Sequence, residues 1–330
     1  MSPFDSLAEK VRTGERLPFP LSALLTSATP LTRVGMWWRL RQPRVRVEAH
    51  VISFGNITAG GTGKTPAVIE RAQREIAAGR KVAVLTRGYG ADHGPAGLIV
   101  VEGREATRMW RAVGDEAALI GRKAPEVFIA RSADRVGAAR AAIDRYGCDV
   151  LILDDGFQYV RLERDENVAV IDAANPFGNR RLLPRGILRE PISALSRATH
   201  LVLTRCDQSV DCAAVVEELR RTCPHAPVRK TRHAPVGLWR VRDGETRDLS
   251  ELRNRRLAAA CAIGNPNAFV STLRSLGADV VDHRFFRDHT SIPTEALTGD
   301  DWILTTEKDA IRMESPPDNV FALAIELADY

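Results

Sequence analysis

Residues 58–66 read Thr58-Ala59-Gly60-Gly61-Thr62-Gly63-Lys64-Thr65-Pro66. Glycines let backbone N–H groups fold around phosphate, Lys64 supplies a mobile cation, and Thr65 offers a hydroxyl to Mg²⁺. The common form of such a loop carries a glycine six residues before the lysine. Thr58 stands there, and Gly60 and Gly61 provide the freedom from inside the loop instead. The flanks fit: the apolar run ending at Phe54 predicts a strand. Residues 66–78 predict a helix with Pro66 in its first turn, where a missing N–H costs little. Together these features point to a nucleotide site.

Asp154 and Asp155 follow the apolar run Leu151-Ile152-Leu153. An acid at the carboxyl end of a second parallel strand is how phosphate-loop enzymes hold the Mg²⁺ that bridges phosphates, and two adjacent buried acids need a nearby cation to coexist. Asp115 opens a helix predicted over 115–123, and on local chemistry it reads first as an N-cap. Arg135 lies at the start of a helix over 133–145, and Arg185 and Arg189 sit in a loop bounded by Pro184 and Pro191. Each arginine suits either an anionic ligand or a neighbouring acid. His283 follows a predicted strand at 279–282; a histidine there can take a proton near neutral pH or serve structure alone. Residues 305–309 form a charged loop to which chemistry alone assigns no role.

The elements that must position these groups alternate strand and helix from residue 50 onward, the pattern of a parallel sheet. Strands are predicted at 50–54, 82–86, 127–130, 150–153, 168–172 and 200–204. The expected fold is a phosphate-loop-type three-layer α/β/α core over 47–227. An extended hinge follows at 228–241, then a smaller α/β domain at 242–330 with strands near 257–263, 279–282, 302–305 and 320–325 around a helix at 268–276. Residues 1–46 are expected to form amphipathic helices.

The chain has 330 residues, 44% hydrophobic and 27% charged, with a net charge of +5. Residues 1–46 hold eight Lys/Arg against three Asp/Glu, so the whole excess sits at one end. That distribution argues against a nucleic-acid groove across the body and for one local anionic partner. Trp37 and Trp38 lie among arginines, which suits either a lipid interface or packing over a sheet edge. No run approaches the length of a membrane span, and no signal peptide is expected. Five scattered cysteines imply no metal cluster and suit a reducing compartment.

Several motifs occur together and in order. They are Gly55-Asn56-Ile57-Thr58 leading into the phosphate loop, Arg87-Gly88-Tyr89-Gly90, Gly114-Asp115-Glu116, Asp154-Asp155-Gly156-Phe157-Gln158, residues 186–191, Gly264-Asn265-Pro266 and Thr305-Thr306-Glu307-Lys308-Asp309. The series resembles the tetraacyldisaccharide 4′-kinase family of lipid A biosynthesis, from about residue 20 to about 325, including the threonine in place of the loop's first glycine. The resemblance implies ATP-dependent phosphorylation of the 4′-hydroxyl of a lipid A disaccharide 1-phosphate at the cytoplasmic face of the bacterial inner membrane, with the N-terminal helices on its anionic surface. It implies that Gly60, Gly61, Thr62, Gly63, Lys64 and Thr65 bind ATP, and that Thr65, Asp154 and Asp155 hold or orient Mg²⁺. It further implies that Asp115 and His283 activate the attacking hydroxyl, supported by Glu116, Arg135, Gln158 and Arg189. Two positions depart from the family pattern. Tyr159 replaces a histidine after Gln158, and Arg284 follows His283 where a second histidine is common, which leaves His283 and His289 both open as the active-site histidine. Two other classes fit part of the pattern: a phosphate-loop GTPase or metallochaperone, for which Thr204-Arg205-Cys206-Asp207 is a faint guanine-reading loop, and a diverged kinase of another glycolipid.

Overall fold

The structure, a computed structural model, describes residues 10–11, 18–88, 91, 97–287 and 290–330. Tyr89, Gly90 and His289 therefore lie outside the described residues. In chain order the elements are α1 (Phe19–Leu40), β1 (His50–Gly55), α2 (Lys64–Ala77), β2 (Val82–Thr86), β3 (Ile99–Glu102), α3 (Gly103–Arg108), α4 (Trp110–Val113) and α5 (Asp115–Lys123). There follow β4 (Phe128–Arg131), α6 (Arg135–Tyr146), β5 (Val150–Leu153), β6 (Glu166–Asp172), β7 (His200–Thr204), α7 (Cys212–Thr222) and β8 (Val228–Arg240). The remainder are β9 (Thr246–Arg247), β10 (Arg256–Cys261), α8 (Pro266–Ser275), β11 (Asp279–Phe285), β12 (Trp302–Thr306), α9 (Glu307–Ala310) and β13 (Val320–Asp329).

Two compact units emerge. The first takes the described residues of 1–87, 132–232 and 328–330; the second takes those of 88–131 and 233–327. Residues 88–131 thus group with the C-terminal part of the chain, although their place in sequence is within 47–227. Ion pairs are among the contacts that join these segments: Lys123 meets Glu307 at 2.8 Å and Arg111 meets Glu314 at 2.8 Å. Residues 228–240, expected as an extended hinge, form one strand, and the division between units falls inside it.

In the first unit the strands run parallel in the order β2-β5-β1-β6-β7-β8. Every residue of β2 and β5 is buried, as is all of β1 after His50, and a strand covered on both faces reads as a continuous apolar run rather than an alternating one. The strand order reverses at β1, which lies between β5 and β6, and the crevice beyond the carboxyl ends at such a point is where open α/β sheets take ligands. Helix α2 begins there, turning Ala67, Val68, Ile69 and Ala72 into the core. Helix α6 is capped by Asp134, whose carboxylate accepts from the Val136 N–H, and ends at Gly147 with a positive φ.

Helix α1 contains no buried residue, and Leu24, Leu31, Val34 and Trp38, spaced to share one face, are exposed. It is held to the first unit by Thr32, which donates to the Leu183 carbonyl at 2.7 Å, and by Arg185, which donates to Ser22 at 3.0 Å. The Arg41 guanidinium stacks 3.8 Å from the Trp37 ring centroid. Among the described residues, no helix is long and apolar enough to cross a membrane.

In the second unit β11, β10, β12 and β13 form a parallel run in that order, β3 pairs antiparallel with β4, and β9 pairs with the end of β8. Leu257, Ala259, Phe269, Leu273, Leu304 and Phe321 form part of its core. Strand β11 is an edge strand, and its residues are mostly exposed.

Candidate active site

The first unit places the phosphate loop between β1 and α2, with positive φ at Gly60 (109°) and Gly63 (79°), conformations a side chain would strain. Its first arm is stitched to residues 187–189: Ala59 N–H donates to the Ile187 carbonyl at 2.7 Å, and Arg189 N–H donates to the Ile57 carbonyl at 2.7 Å. Thr58 pairs there with Leu188 as an antiparallel bridge. This explains the threonine that stands for glycine. The backbone at Thr58 is extended rather than left-handed, and Asn56 Nδ2 donates to its carbonyl (2.8 Å) and hydroxyl (3.2 Å).

Lys64 Nζ lies 3.3 Å from Asn56 Oδ1 and 3.3 Å from Asp155 Oδ1, and Arg189 Nη1 reaches the same carboxylate at 2.9 Å. Burial pushes the Asp155 carboxyl up, but Lys64 and Arg189 outweigh it and hold the group below the usual carboxylate range. Asp154, at the end of β5, is buried, and its N–H donates to the Leu85 carbonyl at 3.0 Å. The turn that follows is tight. A Cβ on Gly156 would meet Ser53 Oγ at 2.5 Å, and one on Gly55 would meet the Phe157 nitrogen at 2.5 Å, so both positions require glycine. The Thr62 hydroxyl is buried and makes no hydrogen bond among the described residues.

Gln158 braces the loop's base, its Nε2 donating to the Asn56 carbonyl and to Glu190 Oε1, both at 2.9 Å. Glu190 was not singled out from sequence. It is 1% exposed and also takes both Arg197 contacts, at 2.8 and 2.9 Å. Its only sequence signal is its place next to Arg189. Arg135 is buried at the start of α6, and burial lowers its pKa, with Arg87 adding to the effect while Tyr159, Asp154 and Asp155 oppose it. Tyr159 takes up the helix start: its hydroxyl accepts from the Arg135 N–H and donates to Asp134, both at 3.1 Å.

The second unit places Asp115 as the first residue of α5, 2% exposed. The sequence offers it as an N-cap, but Gly114 occupies that position, and Asp115 instead accepts from the Glu116 N–H at 2.8 Å. Arg312 Nε stands 3.5 Å and Lys308 Nζ 3.9 Å from Asp115 Oδ2, while Lys308 also meets Glu116 at 3.1 Å. Arg312 continues to Asp309 at 3.2 Å, and Asp309 accepts from Thr306 Oγ1 at 2.7 Å and from the Ala262 N–H at 3.1 Å. Burial pushes the Asp309 carboxyl up against the pull of those donors and of Arg312 and Lys308. Residues 305–309, to which chemistry alone assigns no role, thus deliver Lys308, one of the two cations that face Asp115, and Asp309, which meets the other, Arg312. His283 lies on exposed edge strand β11 with its ring 4.8 Å from that of Phe285.

The structure therefore brings Lys64, Asp155, Arg189, Asn56 and Gln158 into one network within the first unit, and Asp115, Glu116, Lys308, Asp309 and Arg312 into another within the second. The family model described as LpxK, tetraacyldisaccharide-1-P 4′-kinase, matches residues 15–328. The tetraacyldisaccharide 4′-kinase of Anaeromyxobacter sp. (strain K) is 42% identical over 299 residues, covering 87% of this chain and 77% of that one. That of Geobacter sulfurreducens is 38% identical over 272 residues, covering 80% and 75%. Among solved structures, the "apo" form of LpxK from Aquifex aeolicus in complex with ATP superposes with a TM-score of 0.75 at 28% identity, over 94% of this chain and 95% of that one. With a family model matching nearly end to end and relatives about 40% identical over most of the chain, this chain belongs to the tetraacyldisaccharide 4′-kinase family of lipid A biosynthesis.

Proposed function

We propose that the chain carries out the family's reaction by holding ATP on residues 60–65 and using Asp115 with His283 to take the proton of the acceptor's 4′-hydroxyl. The observation that carries this reading is the placement of Lys64 Nζ 3.3 Å from Asp155, with Arg189 on the same carboxylate, at the ends of the central strands. Phosphoryl transfer asks the protein mainly for positioning and for neutralisation of charge on the moving group. Lys64 and Arg189 are the cations at hand; Asp155 keeps them in place between ligands, and Gln158 fixes the base of the loop. The buried Thr62 hydroxyl is a donor aimed at no protein acceptor among the described residues, which suits a phosphate oxygen.

The donor set also fits Mg²⁺. Thr65 offers a hydroxyl and Asp154 and Asp155 offer carboxylates, the hard oxygens that ion prefers. Such an ion draws several of its ligands from phosphates and water, so a few protein oxygens suffice. When bound, Mg²⁺ would offset the negative charge of the phosphates. Thr65 and Asp154 would hold it, with Asp155 shared between it and the cations.

Asp115 is supported as the base by its burial next to Arg312 and Lys308, which keep a carboxylate tolerable there. Glu116 and Arg135 are supporting residues, the first through Lys308 and the second through its buried cation near Asp154 and Asp155. The acceptor is a tetraacyldisaccharide 1-phosphate, whose acyl chains lie in a bilayer. The exposed apolar face of α1 and its flanking arginines suit the anionic cytoplasmic surface of the inner membrane. The direct test supplies purified protein with γ-labelled ATP, Mg²⁺ and the lipid A disaccharide 1-phosphate in detergent. Label is expected on the lipid at the 4′ position; release of labelled phosphate with none on the lipid would overturn the reading.

A further inference from the structure

Gly60 and Gly61 have nothing within 4 Å of where a Cβ would stand, so this stretch of the phosphate loop has no packing of its own to fix its peptide planes. Its carbonyls are fixed from outside. Thr204, fully buried at the end of β7, donates its hydroxyl to the Thr62 carbonyl at 2.8 Å, and that hydroxyl also lies 3.2 Å from the Ile171 carbonyl. The next residue, Arg205, donates from Nη1 to the Gly61 carbonyl at 3.2 Å, and the same nitrogen is paired with Asp172 at the end of β6. Arg205 adopts a left-handed φ of 54°, a conformation that non-glycine residues hold only where surrounding contacts fix it.

In a trans peptide the carbonyl of one residue and the N–H of the next point in opposite directions. Both of these peptides are trans, since the one cis bond among the described residues is Leu183–Pro184. Turning the Gly61 and Thr62 carbonyls toward Thr204 and Arg205 therefore turns the Thr62 and Gly63 N–H groups the other way, as a pair. We infer that Thr204 and Arg205 are positioning residues for the polyphosphate: they hold two consecutive loop amides ready for phosphate oxygens before the nucleotide arrives. This rests on the reading of residues 60–65 as the ATP site, and it gives the Thr204-Arg205 segment a task at the phosphates rather than at a base. Donors fixed beforehand lose less freedom on binding, so the gain falls on nucleotide affinity.

The test measures ATP binding by calorimetry, with and without Mg²⁺, alongside steady-state kinetics, for Thr204→Val, Thr204→Ser, Arg205→Gln and Lys64→Ala. Thr204→Val and Arg205→Gln are each expected to weaken ATP binding about fivefold to tenfold, the scale of one lost hydrogen bond. The KM for the lipid acceptor should stay within about twofold, and Thr204→Ser, which keeps the hydroxyl, should restore binding. If Thr204→Val does not fold, Arg205→Gln decides, because its side chain is partly exposed and its loss leaves the core intact. Wild-type ATP affinity in the folded Thr204→Val and Arg205→Gln proteins, with binding abolished in Lys64→Ala, would overturn this inference and leave the ATP site standing. Undiminished ATP binding by Lys64→Ala would remove the site itself, and the inference with it.

Discussion

The phosphate loop in the first unit and the acid cluster in the second solve the problem of holding charge in opposite ways. Around Asp155 one partly exposed carboxylate faces two cations, Lys64 and Arg189, and its pKa is lowered. Around Arg312 one buried guanidinium faces two buried carboxylates, Asp115 and Asp309, and the Asp309 pKa is raised. The first arrangement has cationic charge to spare for an anionic ligand. The second has carboxylate to spare, which suits a group that must accept a proton. On the proposed function the contrast would separate binding from proton transfer, and mutations can test whether that separation holds.

The largest effects should come from the two centres. Lys64→Ala is expected to lower kcat/KM by about 10³-fold or more and to abolish measurable ATP binding. Asp115→Ala should lower kcat by roughly 10²–10⁴-fold, while ATP binding stays near wild type. Loss of ATP binding in a folded Asp115→Ala protein would erase the distinction between the two regions. Next comes Arg312→Gln, which leaves two buried carboxylates without their shared cation. A loss of roughly 3–5 kcal/mol of stability is expected in denaturant titration. In the folded fraction kcat should fall about 10²-fold through misplacement of Asp115, with the KM for ATP little changed.

The acid response sharpens the same contrast. Away from the site in the first unit, Arg71 grips Glu166 at 2.6 and 2.7 Å, with His50 alongside, and holds that carboxyl down at about 2. Its folded pKa lies below the unfolded value, so its stabilisation is present above about pH 4.5 and disappears as pH falls toward 2. Glu166→Gln should cost roughly 2–3 kcal/mol at pH 7 and little near pH 2, measured by urea titration at each pH. Asp309 has the opposite sign: its raised pKa means that lowering pH relieves a penalty instead of creating one. The smallest effect is expected at α1, where Trp37→Ala with Trp38→Ala should weaken binding to anionic vesicles about tenfold without changing ATP affinity.

Much of the first unit was legible because its signals are contiguous. A buried parallel strand reads as an apolar run, and a phosphate loop reads as glycines before Lys-Thr. The strands at 82–86, 150–153 and 200–204 lie where the sequence puts them, as does the helix at 115–123 in the second unit. Strand β3, by contrast, is four residues long and only partly buried, so it leaves almost no periodic signal. Residues 228–240 read as extended, but whether such a segment is a loose connection or a strand depends on partners that lie elsewhere in the chain.

Amino-acid order alone showed where the glycine-rich loop lies and which strand ends carry acids, because turn geometry, helix starts and carboxylate pairs are encoded by neighbouring residues. The fold decided who holds them. Lys308 meets Glu116 across 192 residues, Gln158 braces Asn56 across 102, and Thr204 fixes Thr62 across 142. Such pairings arise only from strand order and packing register, which bring distant side chains within 3 Å or so and which local sequence does not specify.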